Sequence, residues 1–194
     1  KSKKKSFSAL FNRQVAIESA GGFVVGQIEL SGFNLPGIGR AQKVILNFNP
    51  LKYAYHRGDM VPALTKITVE KGEFKAVRDT AGKWNFIALL SQENNGKAPP
   101  PFRGRIIFKD CRVNYLDRTG FGAVPQVFEA QVEALNGAVD LRSEGRAKFA
   151  FSGKLPEFAK AQGSINLKTG ESALNLSAED MDFERWGNYS LPLP

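Results

Sequence analysis

Residues 67–77, ITVEKGEFKAV, hold the pattern on which the fold turns. Ile67 and Val69 alternate with polar neighbours, a charged group Glu70-Lys71-Gly72-Glu73 interrupts, and Phe74 and Ala76 resume the alternation. Period two is that of a half-buried β-strand. The interruption has the composition of a turn, so the stretch predicts a hairpin. Further along, IIFKDCRVNYL (106–116) aligns with it without a gap, and both place apolar residues first, third, eighth and eleventh. INLKTGESALN (165–175) matches the first half, with Gly170 opposite Gly72 and Cys111. A hairpin recurring at a spacing of about forty residues predicts a sheet that grows by repetition instead of closing round one core.

Outward from this stretch the alternation continues. Phe23-Val25 and Ile28-Leu30 flank a Gly26-Gln27 step in GGFVVGQIEL, which fits two short strands or one bulged strand. Val44, Leu46 and Phe48 alternate in KVILNFNP. Phe102-Arg103-Gly104 opens a stretch in which Ile106-Phe108 turns at Lys109-Asp110 and returns as Val113-Tyr115. Phe128, Ala130, Val132 and Ala134 have period two, although Phe128, Val132 and Leu135 also fit a helix; strand is the favoured reading. Ala147-Phe149-Phe151 and Ile165-Leu167 follow, then Leu174-Leu176 after a turn at Lys168-Thr169-Gly170.

Two short helices interrupt this pattern. In FNPLKYAYHR, Asn49 fits the N-cap and Pro50 the first helical position, where its missing N–H costs nothing. Leu51, Ala54 and Tyr55 then share a face. In RDTAGKWNF (78–86), Asn85 fits a second N-cap, with Phe86, Leu89 and Leu90 at helical spacing. Asp79, Gly82, Trp84 and Asn85 read as a structural corner, in which Gly82 permits the turn and Trp84 with Phe86 pins the helix to the sheet. SQENNGKAPPP (91–101) reads as a loop or linker.

The composition excludes much chemistry. Cys111 is the only cysteine and His56 the only histidine, too few for a Cys/His zinc site. A nucleophilic triad would need His56, which sits at a predicted helix end. GFNLPGIGR and TGFGAVP have neither P-loop nor Rossmann spacing. Asp79 and Asp117 occupy matching places after their repeats, a turn pattern and not a converging acid–base pair. A glycosidase would need such a converging pair. The formal charge is 27 − 19 = +8, and four of the positive charges sit in KSKKKSF. That end reads as a solvated stub, with contact to phosphate or anionic headgroups as the other reading; nucleic-acid binding is weakly supported. A sheet of apolar-faced strands with two short helices must close, be capped, or curl into a trough that suits acyl chains.

The order of these pieces resembles the AsmA and TamB superfamily of bacterial envelope proteins. GGFVVGQIELSGFNLP looks like its early strand pair. KVILNFNPLKYAYHRGDMVPALTKITVEKGEFKAVRDTAGKWNFIALL resembles its most recognisable block, with the Asn-Pro-Leu-Lys helix, the Arg-Asp, the Gly and the Trp-Asn. RIIFKDCRVNYLDRT is similar to its following hairpin. The Asn-Pro-Leu-Lys helix favours the TamB-like branch, and the resemblance covers roughly residues 15 to 190.

The resemblance implies a mostly β fold: a long curled antiparallel sheet, the β-taco or repeating β-groove, with two short helices. It divides the chain into a basic stub (1–14), a groove segment with the helices (15–98) and a continuing groove segment (99–194). It implies a non-enzymatic periplasmic protein without cofactor or metal, anchored in the inner membrane by a helix absent from this chain. Such a protein carries phospholipid towards the outer membrane. The alternative is a module for outer-membrane barrel assembly, working through sheet edges with an Omp85-type partner. Fourteen residues are candidates for the groove surface: Val44, Leu46, Phe48, Ile67, Val69, Phe74, Ile106, Phe108, Val113, Phe149, Phe151, Ile165, Leu167 and Leu174.

Overall fold

The structure, a computed structural model, describes residues 16–57, 60–83, 85, 102–119, 127–155, 158–166, 169 and 171–177. The strands are β1 (Ser19–Val24), β2 (Gln27–Leu35), β3 (Gly39–Phe48), β4 (Leu64–Arg78), β5 (Arg105–Asp117), β6 (Phe128–Asp140), β7 (Arg146–Leu155), β8 (Phe158–Asn166) and β9 (Ser172–Ser177). They form one open, curled sheet in sequence order from β1 to β9. The GGFVVGQIEL step resolves as two strands, β1 and β2, joined at Val25-Gly26, and the ambiguous 128–135 segment is strand.

The predicted hairpins at 67–77 and 106–116 do not form. Each stretch lies within one continuous strand, β4 or β5. The charged groups that look like turns are bulges. Lys71 and Asp110 each take a left-handed conformation (φ 50° for both), the chain then continues straight on, and the following residue is small and buried (Gly72, Cys111). Turn and bulge share this chemistry because both need one residue at positive φ beside little side-chain bulk. The third copy does turn: β8 and β9 are an antiparallel hairpin. A further correction concerns strand direction. β4 and β5 run parallel, with Ile67 opposite Ile106 and Phe74 opposite Val113, whereas the other neighbouring strands are antiparallel.

These bulges line up across the sheet. Gly32 (φ 61°) in β2, Lys71 in β4, Asp110 in β5 and Ala134 (φ 48°) in β6 fall on one transverse line. Register is kept on both sides of it: Val44 pairs with Val69 and Ala41 with Gly72, and the β4–β5 offset does not change. Each of β2 to β6 spends an extra residue at this crease, so buried positions step by three there: Leu30 to Phe33, Val44 to Ala41, Val69 to Gly72. The amide of Asp110, left without a ladder partner, donates to Asn136 Oδ1 at 3.0 Å.

Among the described residues there is one α-helix, α1 (Pro50–Tyr55). Asn49 caps it as expected, accepting from the amides of Leu51 (2.9 Å) and Lys52 (3.2 Å). The shared face of Leu51, Ala54 and Tyr55 is turned to solvent; all six helical residues are exposed, and Tyr55 meets the His56 ring edge-on at 5.2 Å. The second helix (86–90), the loop 91–101, the stub 1–14, Trp84, Leu167 and Gly170 lie outside the described residues.

Candidate functional site

The register of the sheet carries apolar side chains into continuous rows on one face. One row runs Leu30, Val44, Val69, Phe108, Gly137, Phe151 and Ala161 from β2 to β8. The next runs Ile28, Leu46, Ile67, Ile106, Val139, Phe149, Gly163 and Leu174. Partners opposite one another point to the same face, so this face is apolar and uncharged along both rows. Phe74 and Val113 extend it beyond the crease. Phe48 and Ile165 extend it towards the opposite ends of β3 and β8.

Glycines give the face its curvature by making room for rings. A Cβ on Gly137 would collide with the Phe151 ring and with the Ala150 carbonyl. Phe151 therefore leans across β6 to meet Phe108, with ring centroids 5.8 Å apart although the rings come from strands two apart. Phe108 in turn meets Phe74 edge-on at 5.9 Å. Gly163 lies under Phe149 in the same way, and Gly39 and Gly72 under Phe74. Side chains from alternate strands can close on each other only on the inside of a curled sheet.

Burial along the rows falls from one end to the other. At the β2–β4 end, Leu30, Val44 and Leu46 are at most 2 % exposed, and they form a sealed cluster with Ile28, Phe33, Leu35, Ile38, Ala41, Leu64, Ile67, Val69 and Cys111. Phe48, Phe74, Ile106 and Phe108 pack half-buried against it. Val113, Phe149 and Phe151 are half-buried, while Ile165 is 38 % and Leu174 54 % exposed. All thirteen described groove candidates thus share one face, but they span a sealed end and an open end.

The corner at the far margin of this face is polar. Asp117, 2 % exposed, accepts from Thr119 Oγ1 (2.6 Å), the Thr119 amide (2.9 Å), the Tyr115 hydroxyl (3.1 Å) and Arg78 Nη1 (3.5 Å). Burial pushes its pKa up, but the bonds from Thr119, Tyr115 and Arg78 outweigh burial and hold the carboxyl below its usual range. A depressed folded pKa gives stability that is present at neutral pH and lost as pH falls through that value. Asp79 likewise holds its turn, accepting from the amides of Ala81 (2.9 Å) and Lys83 (2.8 Å), with Gly82 at φ 77°. Asn85 does something the sequence did not suggest. Its Oδ1 accepts from the Val77 amide (3.0 Å), and its Nδ2 donates to the carbonyls of Lys75 (2.8 Å) and Gly37 (3.1 Å), so it completes the edge of β4 where β3 has ended.

Tyr115 carries the opposite pH signature. Burial, then the neighbouring Asp117 charge, push its hydroxyl up to about 12, against a lowering by Arg78. The folded pKa stands above the ordinary value of 10.0, so the unfolded chain ionises first and stability falls as pH rises from there towards 12. The melting temperature of the wild type should therefore drop more steeply across that range than that of Tyr115→Phe, followed by circular dichroism. Parallel slopes would show that Tyr115 ionises no later in the folded chain than in the unfolded one.

The opposite face is charged. Lys43 pairs with Glu29 (2.9 Å) and Lys109 with Glu70 (3.0 Å) on one side of the crease, and Arg40 with Glu73 (2.7 Å) and Arg112 with Glu133 (3.4 Å) on the other. The hydrogen bond that Lys43 donates to Glu29 holds its ammonium above its usual pKa. Alternating signs across neighbouring strands favour this register. Thr68, buried between Ile45 and Ile107, belongs to an uncharged stretch of this face that continues through Ala138 and Ala150.

Other candidates for chemistry are structural. Cys111 is buried at the crease, its thiol pushed up by burial and directed to the carbonyls of Lys109 (3.4 Å) and Val69 (3.6 Å). His56 is the C-cap of α1. A polar depression of about 420 Å³ beside the β6–β7 turn, lined by Glu144, Arg146, Lys148 and Asn166, stands at the strand ends, away from the apolar rows. Among the described residues no His, Cys, Asp and Glu side chains gather as a metal site.

Sequence reasoning did not place Leu30, Cys111, Leu135, Gly137, Val139 or Gly163 on this face. Ile28 and Leu30 lie in a stretch that alternates visibly and could have been added. Gly137 and Gly163 show their role only once register sets a phenylalanine beside each. Neither a protein-family model nor a curated protein matches the sequence.

Proposed function

We propose that the chain is a non-enzymatic segment of an envelope-spanning periplasmic protein whose curled apolar face carries phospholipid between the inner and outer membranes. The observation that supports this reading is the pair of uncharged rows crossing the sheet, sealed at Leu30 and Leu46 and open at Leu174, with Ile165 exposed beside them. Acyl chains lying along the open part gain about 25 cal/mol per Å² of apolar surface taken from water. This attraction depends on area, so it needs no individually essential residue. Headgroups remain at the polar margins.

Photo-crosslinkers at inward Phe151 and Leu174, compared with outward Ser152 and Asn175, test the reading in cells with a double membrane. Lipid adducts should form several-fold more at the inward pair. Equal capture at Ser152 and Asn175 would assign lipid contact to the wrong face and end the proposal. A second reading rests on the outermost strands: β1 and β9 each pair on one side only among the described strands. Free strand edges accept added strands, which suits assembly of barrel proteins with an Omp85-type partner. Purified protein that is free of lipid yet binds barrel-strand peptides would favour this second reading.

A further inference from the structure

We infer that α1 and the β1–β2 turn together form a docking patch for an anionic membrane surface. A helix of six residues is too short to hold itself. This one is held by the Asn49 cap, by Pro50 and by the packing of Tyr53 on Phe48, with ring centroids 5.6 Å apart. It buries none of its own residues, so most of its surface faces solvent. Leu51 and Tyr55, four apart and hence on one side of the helix, are 81 % and 84 % exposed. Val25, 89 % exposed, joins them from the β1–β2 turn, where Gly26 backs onto the Phe48 carbonyl and the Pro50 ring.

The surrounding charge selects the occupant. Beside the patch, from Phe48 to Lys66, the sequence has three Lys or Arg (Lys52, Arg57, Lys66) against a single acid, Asp59. Arg40 and Lys43 are paired with glutamates on the charged face, and no described acid pairs with Lys52 or Arg57 beside the patch. Aliphatic and tyrosine side chains ringed by Lys and Arg suit the headgroup boundary of an anionic bilayer. Tyr53 connects the patch to Phe48, the end of the apolar face. Docking is nonetheless independent of whether that face carries lipid.

Flotation of the full chain with phosphatidylcholine vesicles, with and without phosphatidylglycerol, tests the patch. Binding should require phosphatidylglycerol and weaken as salt screens it. The double variant L51S/Y55S, which keeps every charge, should bind at least tenfold more weakly, about 1.4 kcal/mol, with an unchanged circular dichroism spectrum and melting curve. Wild-type chain that fails to float overturns the inference, as does a variant that floats like the wild type. A wild-type dimer in ultracentrifugation that L51S/Y55S dissolves overturns it in favour of self-association. Crosslinking at Phe151 and Leu174 keeps the readings apart: lost flotation of the variant with retained lipid adducts supports docking, and a wild-type chain that floats but yields no adducts counts against the groove alone.

Discussion

Removing the single residue Lys71 should lower the melting temperature by about 5–10 °C, since each kcal/mol is worth about 2–4 °C for a chain of this size. Lys71 is the extra residue of β4 at the crease. Without it, Gly72, Phe74 and Ala76 still alternate inward from Val69, but β4 is one residue short against β3 and β5, and its ladders with both fall out of step across the crease. Phe74 is pulled one position out of line with Gly39 and Val113, which disturbs its packing against Phe108 and its place over Gly39 and Gly72, up to about 2–3 kcal/mol of burial. Glu73 stays on the charged face but is drawn out of line with Arg40, an exposed pair worth at most about 1 kcal/mol. Replacing Lys71 with glycine should do the reverse. Glycine reaches positive φ without the penalty a side chain pays there, so Lys71→Gly should stabilise by up to about 1 kcal/mol. Thermal and urea unfolding of the two variants check both signs. A deletion within about 1 kcal/mol of the wild type would mean that β4 has no fixed bulge at this place.

A carboxylate on the inner face should be ruinous at one end and mild at the other. Val69 lies in the sealed cluster at 8 % exposure, in the row between Val44 and Phe108. Asp at that position would be buried without a partner, at a cost of about 3–5 kcal/mol or more, a large part of the stability of a typical domain. Val69→Asp is therefore expected to be largely unfolded at 37 °C. Leu174, in the neighbouring row but 54 % exposed, leaves water within reach of a new charge. Leu174→Asp should keep the fold to within about 1 kcal/mol and reduce captured lipid. Only the second substitution can report on lipid contact, because loss of function in the first would follow from unfolding. Circular dichroism and lipid content measured on both variants separate the cases. Equal destabilisation at both sites would contradict the burial gradient.

Strand content and the identity of the apolar face were legible because period-two alternation survives in every segment where hydrogen bonding is regular. Val44-Leu46-Phe48 and Ala147-Phe149-Phe151 show this. Legibility stopped where alternation breaks. Glu70-Lys71-Gly72-Glu73 has the residues a turn needs, and one left-handed residue beside a small one serves a bulge equally well. Only the strand across the ladder decides whether the chain reverses, and that strand is remote in sequence. The parallel joint was missed for the same reason: two continuous strands of similar sequence replaced two expected hairpins. The Asn49 cap was readable because capping is local. The role of Asn85 was not, since its partners Gly37, Lys75 and Val77 come from other parts of the chain. The grading from sealed to open was invisible because Leu46 and Leu174 are the same residue type in the same row, distinguished only by how far the sheet has curled over them.

The parallel joint between β4 and β5 sets the order in which the sheet can assemble. β1 to β4 is a meander of neighbours, and so is β5 to β9. Each can zip from short loops, whose closure entropy is small and which favour rapid folding. The joint between them pairs eleven positions, from Lys66 with Arg105 to Arg78 with Asp117, each with a residue 39 places on. It is the step that waits for a long closure before any of its contacts contribute. The chain is thus two locally encoded halves and one splice. The salt bridge and hydrogen bonds of Arg78 and Asp117 sit at the end of that splice, where they hold the last rung between halves that would otherwise be separate cooperative units.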